Sequence, residues 1–353
     1  HSNLRRQRQM CIRDSPSASQ IKGPTIQEYD QEGVVAPYNI DEVAKAEGWD
    51  NLLDPMIAAI HKCENNSGPY CAAPVNIHRI DWMWANKAVF DANGISVPTT
   101  WDELNAAAEK LQAAGIIPFA HGGQAWQDAT VFEAVAMGIG GNNYYKNCYV
   151  DLKESCLRSE TTVKVFDQMR KLQGFTDEGS PGRDWNVATG MVIEGKAGFQ
   201  IMGDWAKGEF TAAGKVPGVD YYCAATPSNN GYLYNVDSFI FYKSSDPDKQ
   251  AGQKLLAKLM MGKNFQKVFN LYKGSIPARL DVSMDEFDKC AKTSNADIKT
   301  AGASGGLVPS FAHGMAQGNT MKAALQDIIT EHFNSDMSLS LIHISEPTRP
   351  LII

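Results

Sequence analysis

The stretch from residue 197 to 210, AGFQIMGDWAKGEF, most constrains the fold of this chain. Its apolar run at 199–202 is short and bounded by glycines, which favours a buried strand over a helix. Asp204 is then placed to cap a helix that begins at Trp205. A tryptophan at such a junction lies where α/β folds place ligands, outside the carboxyl ends of the strands. Trp205 is therefore either an aromatic platform at the rim of a cleft or an ordinary core residue.

Strand and helix signals alternate along the rest of the chain, which predicts an α/β architecture. Thr100 and Glu103 form a capping box at the start of one amphipathic helix, and a strand over 116–120 follows that helix. Pro247, after Asp246, opens a long helix. Apolar stripes at helical spacing are Trp101, Leu104, Ala108 and Leu111; Val163, Phe166, Met169 and Leu172; and Leu255, Leu256, Leu259 and Met260.

The 353-residue chain is long enough for two domains of ordinary size, each with its own core. Its composition, 43% hydrophobic and 21% charged, is typical of a soluble globular protein, and no run of about 18 apolar residues could span a bilayer. The net charge of −7, without blocks of lysine and arginine interleaved with aromatic residues, argues against nucleic acid as a partner.

The two ends of the chain do not resemble the rest. Residues 1–15, HSNLRRQRQMCIRDS, and residues 339–353, which include LIHISEPTRP, show no period that joins them to neighbouring elements. Both are similar to translated sequencing-adapter sequence, so we treat them as non-native and exclude them from the fold. For the first run, a basic targeting segment or a disordered tail is the alternative. On this interpretation the lack of a signal peptide carries no information about location.

Six cysteines remain once Cys11 is set aside with the first run. They can pair to close two short loops of equal spacing, which is geometrically easy, and to form one long-range link. These pairs are Cys63 with Cys71, Cys148 with Cys156, and Cys223 with Cys290. The even count favours disulfides and an oxidising compartment, with free buried thiols as the alternative. Because no CxxC motif or zinc-spaced cluster is present, we expect no structural zinc.

Two extended segments, 72–84 and 233–242, are interpreted as crossings between domains. The second contains Asn235 and Asp237, which alternate to the same face of a strand. Polar residues inside an otherwise apolar strand must be hydrogen-bonded. Their partners are either other protein groups or a ligand.

Carboxylates beside an aromatic residue raise the alternative of a glycoside hydrolase, because that chemistry needs two carboxylates roughly 5 to 10 Å apart. Asp204 and Glu209 flank Trp205 in this way, but acidic residues also favour the first turn of a helix for electrostatic reasons. The motifs GxSxG, HExxH and GxxxxGK[ST] are absent from the sequence. Without these motifs we expect no enzyme activity and no cofactor. Because the histidines are scattered along the sequence, we also expect no metal site.

Nine blocks, in order, resemble the sugar-binding proteins of bacterial ABC transporters, above all the glucose-binding ones. These belong to the extracellular solute-binding family that also contains maltose-binding protein. The resemblance covers about 16–336, and no single block would suffice for it. The blocks are QIKGPTIQEY at 20–29, AAPVNIHR at 72–79, WMWANKAVF at 82–90, TWDEL at 100–104, PFAHGGQAWQD at 118–128, PGRDWNVATGMVIEGKAGFQIMGDWAKGEF at 181–210, NVDSF at 235–239, FNLYKGSIPAR at 269–279 and GGLVPSFAHGMA at 305–316.

The resemblance implies an α/β, two-lobed periplasmic-binding-protein fold of type II-like topology, with discontinuous domains and hinge closure around the ligand. One lobe would hold residues 16–83 plus 237–300, and the other 84–234 plus 305–336. Family members begin with roughly 70 further residues that carry a sugar-facing tryptophan pair and a glutamate, and they end with further helices. The resemblance therefore implies a truncated chain with an incomplete first lobe, which folds poorly or binds sugar weakly.

The resemblance also implies a sugar site, whose needs are flat aromatic groups for the C–H faces of a pyranose and polar groups for its hydroxyl rim. The implied sugar-binding residues are Trp205, His313, Asn235, Asp237, Lys22 and Lys273. Trp205 would cover a sugar face, and His313 would be a second planar wall or a hydroxyl partner. Gln124 and Trp126 are secondary candidates, because their loop can instead pack the lobe or close over the ligand.

The implied function is the substrate-binding component of an ABC sugar importer in the periplasm. It would bind glucose or a similar neutral monosaccharide and deliver it to the membrane permease, as a monomer that meets the membrane only through that permease. The same fold could instead take a different polyol or a disaccharide, because ligand choice depends on cleft depth.

Overall fold

The computed structural model describes residues 16–34, 37–228 and 230–337. The two ends treated above as non-native lie outside these residues. Within them, the strands in chain order are β1 (Ala18–Ile21), β2 (Ala72–Pro74), β3 (His78–Arg79), β4 (Trp82–Asn86), β5 (Ile117–Phe119), β6 (Ala197–Ile201), β7 (Tyr221–Ala225), β8 (Tyr232–Asn235), β9 (Ser238–Phe241) and β10 (Leu307–Pro309).

Helices fill most of the segments between these strands. They are α1 (Thr25–Gln31), α2 (Pro37–Glu47), α3 (Pro55–Ile60), α4 (Cys63–Asn66), α5 (Lys87–Ala92), α6 (Trp101–Ala113), α7 (Ala125–Tyr145), α8 (Glu154–Leu157), α9 (Glu160–Gln173), α10 (Trp185–Ile193), α11 (Ala206–Ala212), α12 (Pro247–Met260), α13 (Lys263–Lys273), α14 (Lys289–Ser304) and α15 (Asn319–Asn334). A 3₁₀ turn (Trp49–Asn51) follows α2 and a π-helical turn (Lys146–Val150) follows α7.

The described chain divides into two compact units, each made of separate stretches of sequence. The first unit contains 16–76, Val236–Phe269 and Pro277–Val282; the second contains Ile77–Asn235, Asn270–Ile276 and 283–337. The chain therefore passes from one unit to the other five times. The lobe boundaries implied by the resemblance stay a prediction.

A three-stranded antiparallel sheet in the order β1–β9–β2 organises the first unit. Ile26 of α1 is completely buried against this sheet together with Ile240 of β9 and the Cys63–Cys71 pair. Helices α2 and α12 pack together and are joined at the surface by the ion pair of Glu42 with Lys254, 2.5 Å.

The second unit contains two sheets. The larger has the order β5–β6–β4–β7, in which β5 and β6 are parallel and β4 is antiparallel to both of its neighbours. The smaller has the order β10–β8–β3, with β10 parallel and β3 antiparallel to β8. Helix α7 is the centre of the helical layer, because it packs against both α9 and α15.

The predicted helix signals form as expected. Thr100 accepts a hydrogen bond from the N–H of Glu103, whose carboxylate bonds back to the N–H of Thr100, completing the capping box of α6. Asp246 caps α12, which starts at Pro247. The apolar stripe of α12 is only partly turned inward, because Leu255 is 69% exposed while the other end of the stripe at Met260 is buried.

Two local predictions are wrong. The 197–210 stretch does contain a fully buried strand, but α11 begins at Ala206, and Asp204 makes no cap because its carboxylate turns inward. The 233–242 segment is not one strand: β8 ends at Asn235 in one sheet and β9 begins at Ser238 in another. Asn235 and Asp237 therefore do not share a strand face.

The structure brings the six cysteines together in the three expected pairs. The Cα atoms are 5.7 Å apart in Cys63–Cys71, 5.2 Å in Cys148–Cys156 and 6.0 Å in Cys223–Cys290. The last pair ties β7 to the first turn of α14 across 67 residues of sequence. Among the described residues, no helix is both long enough and apolar enough to cross a membrane.

Candidate functional site

Trp205 lies in the turn between β6 and α11, where its indole is half-buried. The ring folds back over Gly203, since a Cβ atom at that glycine would lie 2.2 Å from the ring carbon Cζ3 of Trp205. Only glycine leaves room for this close approach. The glycine that bounds the strand thus also fixes the position of the aromatic ring.

Three other rings surround that of Trp205. The ring centroid of His313 lies 5.0 Å away at an interplanar angle of 65°, that of His78 lies 5.3 Å away at 85°, and that of Trp126 lies 6.4 Å away. Trp126 also contacts His313 edge-to-face at 5.9 Å. We call Trp205, His313, Trp126 and His78 the aromatic cluster. Edge-to-face arrangements of this kind stabilise one another and leave ring faces available for further contacts.

The hydrogen bonds of His313 assign its tautomer. Thr130 Oγ1 donates its proton to the carbonyl oxygen of Trp126 at 2.8 Å, so it can only accept from His313 Nε2 at 3.0 Å. The neutral ring therefore carries its proton on Nε2 and has Nδ1 as its acceptor nitrogen.

Gln124 holds Trp126 in place. Its Oε1 accepts from the indole Nε1 of Trp126 at 2.8 Å, while its Nε2 donates to Asp184 Oδ1 at 2.6 Å. Gln124 thus spends both ends of its amide within the protein, and Trp126 is the member of this pair whose ring joins the aromatic cluster.

Within the aromatic cluster, His78 forms a buried pair with Asp204. The Nδ1–H of His78 donates to Asp204 Oδ1, and the backbone N–H of Arg79 donates to Asp204 Oδ2 at 2.9 Å. Both carboxylate oxygens of Asp204 are thereby used inside the protein, at 3% exposure. His78 was not predicted as a site residue; the available signal was a histidine after an extended apolar run, which needs a buried acceptor.

Asn235 and Lys273 lie beside this group of residues in the same unit. Asn235 is the register partner of His78 across β8 and β3, and it is buried. Lys273, the last residue of α13, is exposed and precedes Gly274, where a Cβ atom would lie 2.4 Å from the carbonyl oxygen of Asp204. The second unit therefore brings together six of the eight predicted residues: Trp205, His313, Asn235, Lys273, Gln124 and Trp126.

Lys22 and Asp237 lie in the first unit, where they bind each other. Lys22 Nζ is 3.2 Å from Asp237 Oδ1, and the side-chain amide of Asn76 donates to Asp237 Oδ2 at 3.1 Å. The backbone N–H of Asp237 in turn donates to the side-chain oxygen of Asn76 at 2.9 Å. Asp237 is thus in contact with both a cation and an amide, and Lys22 is 30% exposed. Their role in sugar binding stays a prediction.

A buried carboxyl group supports the turn that carries His313. Glu133 of α7 accepts from Ser310 Oγ at 2.7 Å and from the backbone N–H of Ala312 at 3.3 Å. Burial raises the pKa of Glu133 to about 8, against smaller opposing effects of these hydrogen bonds. Among the described residues, no group of three or more histidine, cysteine or acidic side chains is arranged to hold a metal ion.

Comparison with known proteins decides the family. The sequence pattern of the bacterial extracellular solute-binding proteins matches residues 17–260. A probable sugar-binding periplasmic protein of Rhizobium meliloti (strain 1021) is 43% identical over 326 residues, which are 92% of this chain and 77% of that protein. The chain belongs to the bacterial extracellular solute-binding proteins, in the branch related to maltose-binding protein.

Two further comparisons place this solute-binding protein. A probable sugar-binding periplasmic protein of Brucella melitensis biotype 1 is 44% identical over 326 residues, covering 92% of this chain and 76% of that one. Among solved structures, the bacterial solute receptor AcbH superposes with a TM-score of 0.80 at 19% identity, covering 98% of this chain and 86% of that chain. AcbH itself has an exclusive substrate preference for β-D-galactopyranose. The predicted α/β fold of the sugar-receptor type is confirmed.

Proposed function

We propose that this solute-binding protein is the sugar-binding component of a bacterial ABC importer, and that its ligand is glucose or a similar neutral monosaccharide. It acts in the periplasm as a monomer, passes the sugar to a membrane permease and binds no nucleic acid. The names of its Rhizobium and Brucella relatives support the sugar class, because both are probable sugar-binding periplasmic proteins.

The aromatic cluster is the observation that carries this proposal. A pyranose presents C–H faces that pack on flat rings, and Trp205 and Trp126 are half-buried rings whose positions are fixed by Gly203 and Gln124. Covering one sugar face removes about 60 Å² of apolar surface from water, which stabilises the complex by about 1.5 kcal/mol. Such a cluster favours a neutral ligand with apolar faces.

Polar groups next to the cluster match the hydroxyl rim of a sugar. We propose that Asn235, which can both donate and accept, and Lys273, which donates with a charge, bind hydroxyl oxygens. We propose that Lys22 and Asp237 also bind the sugar. Their mutual ion pair supports this role, because it holds a donor and an acceptor at fixed positions.

A carrier is favoured over a glycoside hydrolase by the environment of Asp204. Hydrolysis needs two carboxylates that face the glycosidic bond. Asp204 is 3% exposed and uses both oxygens on His78 and on the N–H of Arg79, while Glu209 lies in the first turn of α11. Asp204 therefore acts on its neighbours within the protein, as an orienting group for His78.

Thermal unfolding of the chain with a sugar panel tests the proposed function. Glucose, galactose, xylose, mannitol and maltose at millimolar concentrations serve as ligands, with glycine as a non-sugar control. A ligand raises the transition temperature only if it binds the folded state. We expect glucose to give the largest shift of the panel, and the millimolar concentrations populate the complex even where binding is weak. A cooperative transition that no sugar shifts would contradict sugar binding, and a larger shift with another sugar would change the ligand. Calorimetric titration then measures Kd for the best sugar.

A further inference from the structure

Two side chains of helix α7, one helical turn apart, form hydrogen bonds with the turn at 310–313. Thr130 accepts from the ring Nε2 of His313 at 3.0 Å. Glu133 accepts from Ser310 Oγ at 2.7 Å, and Ser310 Oγ itself accepts from the backbone N–H of His313 at 3.0 Å. Residues three apart on a helix share one face, so a single face of α7 holds both the ring and the backbone of His313.

The hydrogen bond of Glu133 with Ser310 belongs to a larger buried network. Tyr145 Oη lies 2.9 Å from Glu133 Oε2 and 3.1 Å from the carbonyl oxygen of Pro309, and it accepts from the N–H of Phe311 at 3.1 Å. With Glu133 protonated, its O–H donates to Tyr145, and Tyr145 donates to Pro309. Every polar hydrogen of this network then has an acceptor, as a buried polar network requires.

We propose that Thr130 and Glu133 are positioning residues that fix the His313 ring against Trp205 and thereby set the affinity for the sugar. This inference rests on the proposed function. His313 stands on a turn rather than on a helix or strand, next to Gly314 in the left-handed region at φ +73°. Such a ring loses little entropy on binding only if the protein already holds it in place. The hydrogen bonds of Thr130 and Glu133 on α7 hold the His313 turn in place.

Replacement of Thr130 by valine tests the hydrogen bond between Thr130 and His313, because valine keeps the shape of threonine and removes the hydroxyl. Thr189→Val is the matched control: Thr189 is also buried, bonds the carbonyl four residues earlier at 3.0 Å and bonds one further side chain, Gln200, at 2.7 Å. Both variants should lower the unfolding temperature by similar amounts. Only Thr130→Val should change the tautomer of the His313 ring.

Two readouts separate positioning from stability. Nitrogen-15 NMR of the histidine rings should show the Nε2–H tautomer of His313 in the wild type and in Thr189→Val, and a mixture of tautomers in Thr130→Val. The Kd for the best sugar should rise about fivefold or more in Thr130→Val, as expected for one lost hydrogen bond, and by less than about twofold in Thr189→Val.

Glu133 is tested by rescue with the conservative variant. Glu133→Leu removes the acceptor of Ser310 and should raise Kd and broaden the His313 signals. Glu133→Gln keeps an acceptor for Ser310 and a donor for Tyr145 and loses only the acceptor of the Ala312 N–H, a contact of 3.3 Å, so it should restore part of the affinity that the leucine variant loses. Equal affinities in the leucine and glutamine variants would overturn the role of Glu133.

The outcomes also distinguish this inference from the proposed function. If the wild type binds a sugar but Thr130→Val keeps the His313 tautomer and the affinity of Thr189→Val, positioning is overturned and sugar binding stands. If the tautomer changes in Thr130→Val but no sugar binds the wild type, the link between His313 and sugar affinity is overturned together with the proposed function.

Discussion

The ring of His313 lies edge-to-face on the ring of Trp205, with the ring centroids 5.0 Å apart at an angle of 65°. The two residues come from separate elements: Trp205 from the β6–α11 turn and His313 from the turn after β10. Thr130 and Gly203 restrict the two rings independently, one by a hydrogen bond and the other by the space it leaves. The pair is therefore a preformed corner, suited to a ligand that offers both a flat face and hydroxyl groups.

Trp205→Ala should weaken sugar binding strongly, because the variant loses a ring face worth about 1.5 kcal/mol. We expect Kd to rise about tenfold or more, and Trp205→Phe to raise it less. Trp101→Phe is the control, since Trp101 is a buried tryptophan on α6 and no member of the aromatic cluster. Calorimetric titration measures all three. An unchanged Kd in Trp205→Ala would place the sugar elsewhere.

The polar contacts of Asp237 should matter more for stability than those of Lys22. Asp237→Ala removes the acceptor of both Lys22 and Asn76 inside the first unit, at a cost of about 1–3 kcal/mol. Lys22→Met should cost less than about 1 kcal/mol, because Lys22 is 30% exposed. Urea denaturation measures both, with Lys45→Met as the control, because the side chain of Lys45 is 77% exposed in its ion pair with Asp41. A larger loss in Lys22→Met than in Asp237→Ala would contradict the assignment.

Local signals predicted much of the fold because they are confined to a few neighbouring residues. The capping box of Thr100 and Glu103 forms, and α12 starts at Pro247 as expected. The cysteine pairs also follow from spacing, with the long-range Cys223–Cys290 pair left by elimination of the short ones. The local pattern left Trp205 as either a platform or a core residue, and the family resemblance favoured the platform and added His313 and Trp126. No local pattern relates Trp205 to a turn after β10.

Buried polar partners could not be predicted from the sequence. Asp204 precedes a helix, which suggested a cap, but its carboxylate binds His78, which lies 126 residues earlier. Burying a histidine and a carboxylate is tolerable only if they bond to each other, and the tertiary fold determines whether they come into contact. Likewise, two alternating polar residues suggested one strand face, whereas the chain leaves β8 after Asn235 and enters β9 at Ser238. Tertiary packing overrides the local period there.

Loss of the long-range cysteine pair should destabilise the protein more than loss of a short one. In the chain-entropy account, the link across 67 residues contributes about 4 kcal/mol and a link across 8 residues about 2 to 3 kcal/mol. Chemical denaturation of the double variants C223S/C290S and C148S/C156S compares the two. The reverse order would contradict the chain-entropy account.

The oxidised state of these cysteines is a separate prediction. Alkylation of the unreduced protein followed by intact mass measurement should modify none of the six cysteines of the three pairs, and reduction should make all six reactive. Six thiols that react without reductant would show that the compartment or the sequence context leaves them reduced.

Arg79→Met should be among the most destabilising substitutions in the second unit. The buried guanidinium binds Asp81 at 3.1 Å and Asp297 at 2.6 Å, and lies over the ring of Tyr232. Burial alone would lower the pKa of Arg79, but the charge and hydrogen bonds of Asp81 outweigh it and raise that pKa. Removing the cation leaves the buried Asp81 carboxylate uncompensated, which costs about 3–5 kcal/mol.

The surface pair of Arg158 with Glu154 is the control for Arg79. It is an exposed pair four residues apart on one helix end, so Arg158→Met should cost less than about 1 kcal/mol. Urea denaturation of both variants measures the difference. Similar losses would mean that the Arg79 contacts are no stronger than a surface ion pair.

The buried carboxyl of Glu133 should make stability fall as the pH rises. Burial raises the pKa of Glu133 to about 8 in the folded protein, from 4.5 in an exposed carboxyl. Between these two values the folded state holds a proton that the unfolded state has released, so the free energy of unfolding decreases with pH throughout this window. The full loss, complete above about pH 8, is on the order of 5 kcal/mol.

Other buried groups act in the opposite direction and must be subtracted. Burial lowers the pKa of His61 and of His332 to about 4, so these two histidines add stability as the pH rises from about 4 to 6.5. Glu133→Gln keeps both histidines and removes the titrating carboxyl. Urea denaturation of wild type and Glu133→Gln from pH 5 to 9, at roughly half-unit steps, should therefore give a difference that grows in favour of the glutamine variant until about pH 8. Parallel curves would show that Glu133 does not titrate in this range, because any carboxyl with a raised folded pKa must separate them.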